Sequence, residues 1–170
     1  MIPESHHYPG GAAVARNLAS SRAQGDILIM IDADELIKSD FISQVVEVIR
    51  NENVDFVYVL AEEYIVSEDE IISPEQKPGW STGKISPGSL RDAFYHRTVH
   101  FPAAPVTIRA DVFWDVGGYS ALISNEDTNL LVKIDDDYQG YLISQPLYTY
   151  RRWDKQHTTE QVFLNEELAE

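Results

Sequence analysis

The chain contains no cysteine, which excludes disulfides and cysteine-based zinc sites and leaves its redox compartment open. Basic residues are scarce: 13 Lys and Arg face 28 Asp and Glu, a formal net charge of -15. A surface of that sign opposes non-specific binding to nucleic acid or anionic membranes, because both demand that phosphate be neutralised. A phosphate-bearing ligand would therefore need a metal as intermediary. No stretch approaches the roughly 20 apolar residues that cross a bilayer. Met1-Ile2-Pro3-Glu4-Ser5-His6-His7 has neither the basic start nor the apolar core of a secretory signal. These absences lead to the expectation of a soluble, cytoplasmic protein. The 170 residues are 44% hydrophobic, an ordinary globular composition, and without repeats or a composition break they read as a single domain, 1–170.

The most informative stretch is Gly25-Asp26-Ile27-Leu28-Ile29-Met30-Ile31-Asp32-Ala33-Asp34-Glu35. Its five apolar residues are too few for a helix and suit a strand covered on both faces. Three carboxylates follow within four positions. If the strand persists that far, Asp32 and Asp34 point to the same side, at the carboxyl end where open α/β sheets keep their ligands. Paired acids there suit Mg²⁺ or Mn²⁺, which takes one or two carboxylates and completes its shell with substrate phosphate.

Around this stretch the pattern alternates. A helix is predicted from Ala12 to about Ala23, ended by Gly25. After the strand, Ser39 or Asp40 caps a helix with Phe41, Ile42, Val45, Val46, Val48 and Ile49 on its apolar face. Val54–Leu60 is the next strand, and strand-helix-strand implies a βαβ unit with parallel, neighbouring strands. Ser67–Leu90 is a long loop broken by proline and glycine, of the kind that serves as a lid or binding loop, with Trp80 as a packing anchor or a stacking platform. Val106-Thr107-Ile108 is a short strand and Asp111–Trp114 a short helix ended by Gly117-Gly118. Asn125 caps a helix from Glu126 to about Ile134, Tyr141–Ser144 and Leu147–Tyr150 are late strands parted by Gln145-Pro146, and a last helix starts near Thr158. Asp135-Asp136-Asp137 reads as a solvated turn after its helix, and the His6-His7 pair as unstructured.

Asp127 shares a stripe with Leu130, Leu131 and Ile134 at i, i+3, i+4 and i+7, so it faces inward, while Glu126 falls on the side of Asn129 and Lys133. An inward carboxylate at a helix start needs a partner or a job, because burying it unpaired is costly. It is a candidate general base.

Taken together, Ala15-Arg16-Asn17, Gly25–Asp34, Val116-Gly117-Gly118-Tyr119, Glu126-Asp127 and Pro146-Leu147-Tyr148-Thr149-Tyr150-Arg151-Arg152 resemble the family 2 glycosyltransferases of the GT-A fold in order and approximate spacing. The resemblance implies a GT-A-like, Rossmann-related α/β fold, with a mostly parallel central sheet flanked by helices. It also implies an inverting, metal-dependent transfer of a sugar (hexosyltransferase type) from a UDP- or GDP-sugar to a hydroxyl of a glycan, lipid or protein. Under it, Asp32 contacts the nucleotide and Asp34, with Asp32, holds Mg²⁺ or Mn²⁺. Asp127 is the catalytic base, Arg16 lies near the donor, and Arg151 (with Arg152 beside it) reaches the diphosphate. His157 reads either as a further metal ligand or as an exposed bystander in a polar stretch. The family places a strand, helix and strand ahead of the Ala-Arg-Asn helix, and the sequence starts almost at that helix. The expectation is an N-terminally truncated domain with an exposed sheet edge, poor nucleotide-sugar binding by the chain alone, and completion by a second chain or by self-association. Two other readings stay open: a non-catalytic interaction module on a degenerate transferase fold, and a phosphatase of the haloacid-dehalogenase type. The latter also sets Asp-x-Asp after a strand but prefers Thr or Val where Glu35 stands.

Overall fold

The computed structural model of the chain describes residues 11–73, 81–96, 106–122 and 125–153. His6-His7, the Tyr8-Pro9-Gly10 turn, Trp80, His157 and the helix expected from Thr158 lie outside the described residues. Five helices and seven strands are described: α1 (Gly11–Arg22), β1 (Ile27–Ile29), β2 (Leu36–Ile37), α2 (Phe41–Glu52), β3 (Phe56–Ile65), β4 (Glu70–Ile72), β5 (Gly83–Ile85), α3 (Ser89–Tyr95), β6 (Thr107–Arg109), α4 (Ala110–Asp115), α5 (Glu126–Asp137) and β7 (Gly140–Arg152). None of these helices is long and apolar enough to cross a membrane.

The strands form one sheet in the order β1-β6-β3-β7-β2, with β4 added to β3 and β5 to β7. Strands β1, β3 and β7 run the same way, because β1 and β3 are each antiparallel to β6 and β7 is parallel to β3. The βαβ expectation therefore holds in direction and fails in adjacency. Helix α2 carries the chain past one slot, and β6, arriving some fifty residues later, fills it. The only parallel ladder among the described strands is β3–β7, so by pairing the sheet is mixed. The two late strands are one strand, β7, whose register against β3 shifts between Val59 and Ala61, opposite Gln145-Pro146. Proline has no N–H to give the ladder, and the irregularity accommodates it.

Alternation along β3 sends Phe56, Tyr58 and Leu60 to one core and Val57 and Val59 to the other. The first core is closed by Ala13 of α1, Leu90 of α3, Phe113 of α4 and Leu130, Leu131 and Ile134 of α5. The second is closed by Phe41, Val45 and Ile49, the inward stripe of α2. Asn53 in the left-handed region ends α2. Asp40 precedes it without a side-chain cap bond; its carboxylate instead accepts from Gln44 Nε2 at 2.8 Å. Asn125 likewise makes no side-chain cap bond to α5.

Asp135, Asp136 and Asp137 belong to α5 and not to a turn beyond it. Asp135 is buried and accepts the backbone N–H of Arg91 at 3.0 Å, while Asp136 pairs with the Arg91 guanidinium. The run reads as solvated in one dimension, yet α3 folds back onto it with free N–H groups at its first turn.

Gly140 opens β7 between Phe56 of β3 and Ile85 of β5. A Cβ there would stand 2.3 Å from Phe56 Cζ, a clash with a ring that is itself fully buried. Gly140→Ala is expected to cost about 3 kcal/mol, the upper end of overpacking penalties. That lowers the melting temperature by roughly 6–12 °C for a chain this size. Adding Phe56→Leu should recover part of the loss; a melting temperature within a degree of wild type for Gly140→Ala would contradict the packing.

Candidate functional site

The shared direction of β1, β3 and β7 gives the sheet one rim on which all three carboxyl ends lie. The Asp32–Glu35 turn follows β1 at that rim, and Arg151 stands near the end of β7. They meet there: Arg151 Nε donates to the backbone oxygen of Asp34 at 2.5 Å, and its guanidinium carbon lies 5.4 Å from the Trp153 ring centroid. Arg152 points elsewhere and pairs with Glu63 at 3.0 Å.

Strand β1 stops at Ile29, two residues earlier than the apolar run suggests. Leu28 is buried, Ile27 and Ile29 are half-buried and Ile31 is exposed, so both-face cover holds for one residue of the run. Asp32 and Asp34 therefore sit in a turn, closed by the Glu35 N–H donating to the Asp32 carbonyl at 3.2 Å, and strand alternation is not what aims them. Arg16 Nη2 donates to Asp32 Oδ1 at 2.6 Å, and Asp34's carboxylate has no side-chain partner among the described residues.

Arg16 also reaches α5. Its Nη1 donates to Glu126 Oε1 at 2.6 Å, and its guanidinium carbon lies 5.3 Å from the Tyr119 ring centroid. Glu126 is thus turned inward: its side chain is 14% exposed. The helix face that carries Glu126, Asn129 and Lys133 packs on the loop after α4, where Lys133 Nζ donates to the carbonyls of Val116 (3.0 Å) and Gly118 (2.6 Å) and Ser120 Oγ donates to Asn129 Oδ1 (2.6 Å). Asn17 holds the same loop, accepting the Tyr119 N–H and donating to the Tyr119 carbonyl, both at 2.9 Å. Gly118 has a positive φ, and a Cβ on it would lie 2.7 Å from Asn17 Oδ1, so glycine is what permits this approach.

Asp127 is half-buried beside Glu126, and its Oδ1 accepts the Thr128 N–H at 2.7 Å. Burial pushes its carboxyl above the usual carboxylate range and Glu126 adds to the effect, against the pull of the Thr128 N–H and of Arg16. Glu35, not singled out from the sequence, is pushed up to about 9, first by burial and then by the charges of Asp32 and Asp34, with Arg16 opposing and Asp127 adding. Negative charge thus converges on the rim beyond what Arg16 neutralises. No three Asp, Glu or His side chains among the described residues converge as a metal cage. That donor set suits a hard cation held by one or two carboxylates and by phosphate oxygens, with Asp34 and Asp32 as the ligands available. The signal for Glu35 and Glu126 was present as excess charge; which acid Arg16 would meet was not.

Residues 5–117 match the family model of Glycosyl transferase family 2. The chain belongs to that family. Among solved structures, this family 2 chain resembles S. aureus TarS 1-349 in complex with UDP-GlcNAc, with a TM-score of 0.66 at 16% identity over 89% of this chain and 42% of that one. It resembles the same TarS fragment in complex with UDP with a TM-score of 0.61 at 15% identity, over 85% of this chain and 41% of that one. The chain therefore spans about two-fifths of the length of these neighbours, and at such identities the likeness shows the GT-A-like fold alone. Among curated proteins none matches the chain significantly in sequence. Membership of this family removes the haloacid-dehalogenase reading of Asp32-Ala33-Asp34.

Proposed function

We propose that the chain carries the site of a metal-dependent, inverting glycosyltransferase that uses a nucleoside-diphosphate sugar. The observation that carries this reading is the meeting, on one rim of the sheet, of Asp34 and Asp32 with Arg16, Arg151 and the start of α5 that bears Asp127. Asp34 and Asp32 would hold Mg²⁺ or Mn²⁺, which neutralises the charge growing on the departing diphosphate. Asp127 accepts the proton of the acceptor hydroxyl as that oxygen bonds to the anomeric carbon. The bond from carbon to the diphosphate oxygen breaks on the opposite face, so the configuration inverts. Arg151 anchors the Asp34 backbone carbonyl. The UDP and UDP-GlcNAc bound to TarS favour UDP as the nucleotide. The acceptor is a hydroxyl of a glycan, lipid or protein. Strand β1 stands at the edge of the sheet among the described residues.

The test is an NMR titration of the chain with UDP in the presence and absence of Mg²⁺. Shift changes are expected at residues 31–36 and around Arg151, only with Mg²⁺ present, and with a weak dissociation constant of about 1 mM. Absence of any metal-dependent change with UDP or GDP overturns the proposal.

A further inference from the structure

The site holds one cation whose place in it differs from the role the motifs suggest, and the inference below rests on the transferase reading just given. Arg16 projects from α1 between two segments far apart in sequence: Asp32 is 16 residues away and Glu126 is 110. Each takes one terminal nitrogen at 2.6 Å, and the Tyr119 ring lies against the guanidinium face. Next to it, Asn17 holds Tyr119 by both backbone groups, so the ring that covers Arg16 is itself fixed. The Arg16 side chain is 20% exposed. Both terminal nitrogens are already committed to carboxylates, so a diphosphate would have to share this guanidinium with Asp32 and Glu126. The fork geometry is what spans two acids at once; a lysine ammonium is a point charge and would serve one.

We infer that Arg16 is a positioning residue and not a ligand of the donor phosphates. By drawing Glu126 and Asp32 to one guanidinium it sets the first turn of α5 against the Asp32–Glu35 turn, and so places the neighbouring Asp127 relative to the metal-binding carboxylates. Its effect on the reaction passes through Glu126.

The experiment compares the wild-type chain with Arg16→Ala, Arg16→Lys, Glu126→Gln and the double variant Arg16→Ala/Glu126→Gln. UDP affinity in Mg²⁺ and the KM for the sugar donor should stay within about twofold of wild type, while kcat falls about 10- to 100-fold, the usual result of misplacing a reacting group by an ångström. The double variant should lose no more than the worse single one, because both cut the same link. Arg16→Lys should recover less than half of the loss on a logarithmic scale. Apart from turnover, the ¹³C resonance of the Asp127 carboxyl should titrate at higher pH in Arg16→Ala, which removes a positive charge that pulls it down. If Arg16→Ala does not fold, Arg16→Gln, which keeps an amide donor on a shorter, uncharged side chain, is read in the same way. UDP affinity weakened about tenfold with kcat retained, additive losses in the double variant, or an unmoved Asp127 titration would each overturn the inference. If wild type transfers no sugar at all, the transferase reading falls by itself, and the Asp127 titration still decides whether Arg16 holds this helix.

Discussion

Asp127→Asn is expected to lower kcat for sugar transfer by roughly 10²- to 10⁴-fold, the usual contribution of a positioned general base. The substitution keeps the size of the side chain and an oxygen that can accept the Thr128 N–H, now at 2.7 Å from Asp127 Oδ1. It removes the negative charge and with it the ability to take a proton. The pH dependence has a definite sign. Burial holds the Asp127 carboxyl above its ordinary value, so the wild-type rate falls as pH drops through that raised value, at higher pH than an ordinary aspartate of about 4. The same shift works against stability at neutral pH. In the window between the unfolded and folded values the folded chain binds the extra proton, so stability is present below that window and is lost as pH rises through it. Asp127→Asn is accordingly expected to melt no lower than wild type at pH 7 while losing transfer. Thermal melts beside initial-rate measurements check both halves. Undiminished transfer would remove Asp127 from the role of base and favour a non-catalytic module on this fold.

Asp34→Ala, or chelation of the wild type with EDTA, is expected to cost about 10²- to 10³-fold in rate, since a cation at a departing diphosphate supplies several kcal/mol and each 1.4 kcal/mol is tenfold. Added Mg²⁺ or Mn²⁺ should restore the chelated wild type fully and the variant little. The experiment isolates the carboxylate because the turn is held without it: Arg151 bonds to the backbone oxygen of Asp34, and the Glu35 N–H closes the turn onto Asp32. Asp34 is only half-buried and its side chain carries no ion pair among the described residues, so stability should change by no more than about 0.5 kcal/mol. A rate unchanged by EDTA would exclude the metal. A large drop in melting temperature would mean that the carboxylate supports the turn after all.

The acid that sequence spacing singled out, Asp127, lies at the start of α5 as its i, i+3, i+4, i+7 stripe implies, with Leu130, Leu131 and Ile134 buried below it. Helical periodicity reports orientation about one axis and needs no knowledge of neighbours, which is why that stripe was legible. The same reasoning set Glu126 on the side of Asn129 and Lys133 without showing what that side meets. The opposite side of α5 also packs, against the loop after α4 and against α1, and a single-helix pattern has no means of showing a second neighbour that is polar. Asp135 failed in the same way: an acid near a helix end looks solvated until α3 returns its N–H groups to it.

The residues alone determined α1, α2, α5 and the strands β1, β3 and β6, the inward face of α2, the five short motifs and their order, and from these the family, because each depends on local geometry or on chemistry repeated in a fixed sequence; β4, β5 and the start of α3 lie in the stretch read as one long loop. Only the tertiary structure decided which strand lies beside which. Strand β6 separates β1 from β3, since sheet pairing is a contest among segments and not a property of any one. Tertiary structure also decided that Asp32 and Asp34 occupy a turn pinned by Arg151, and that Arg16 is held by two carboxylates from distant parts of the chain. A salt bridge between residues 110 apart leaves no periodicity to read; it exists only once the sheet has brought α1 and α5 to the same rim.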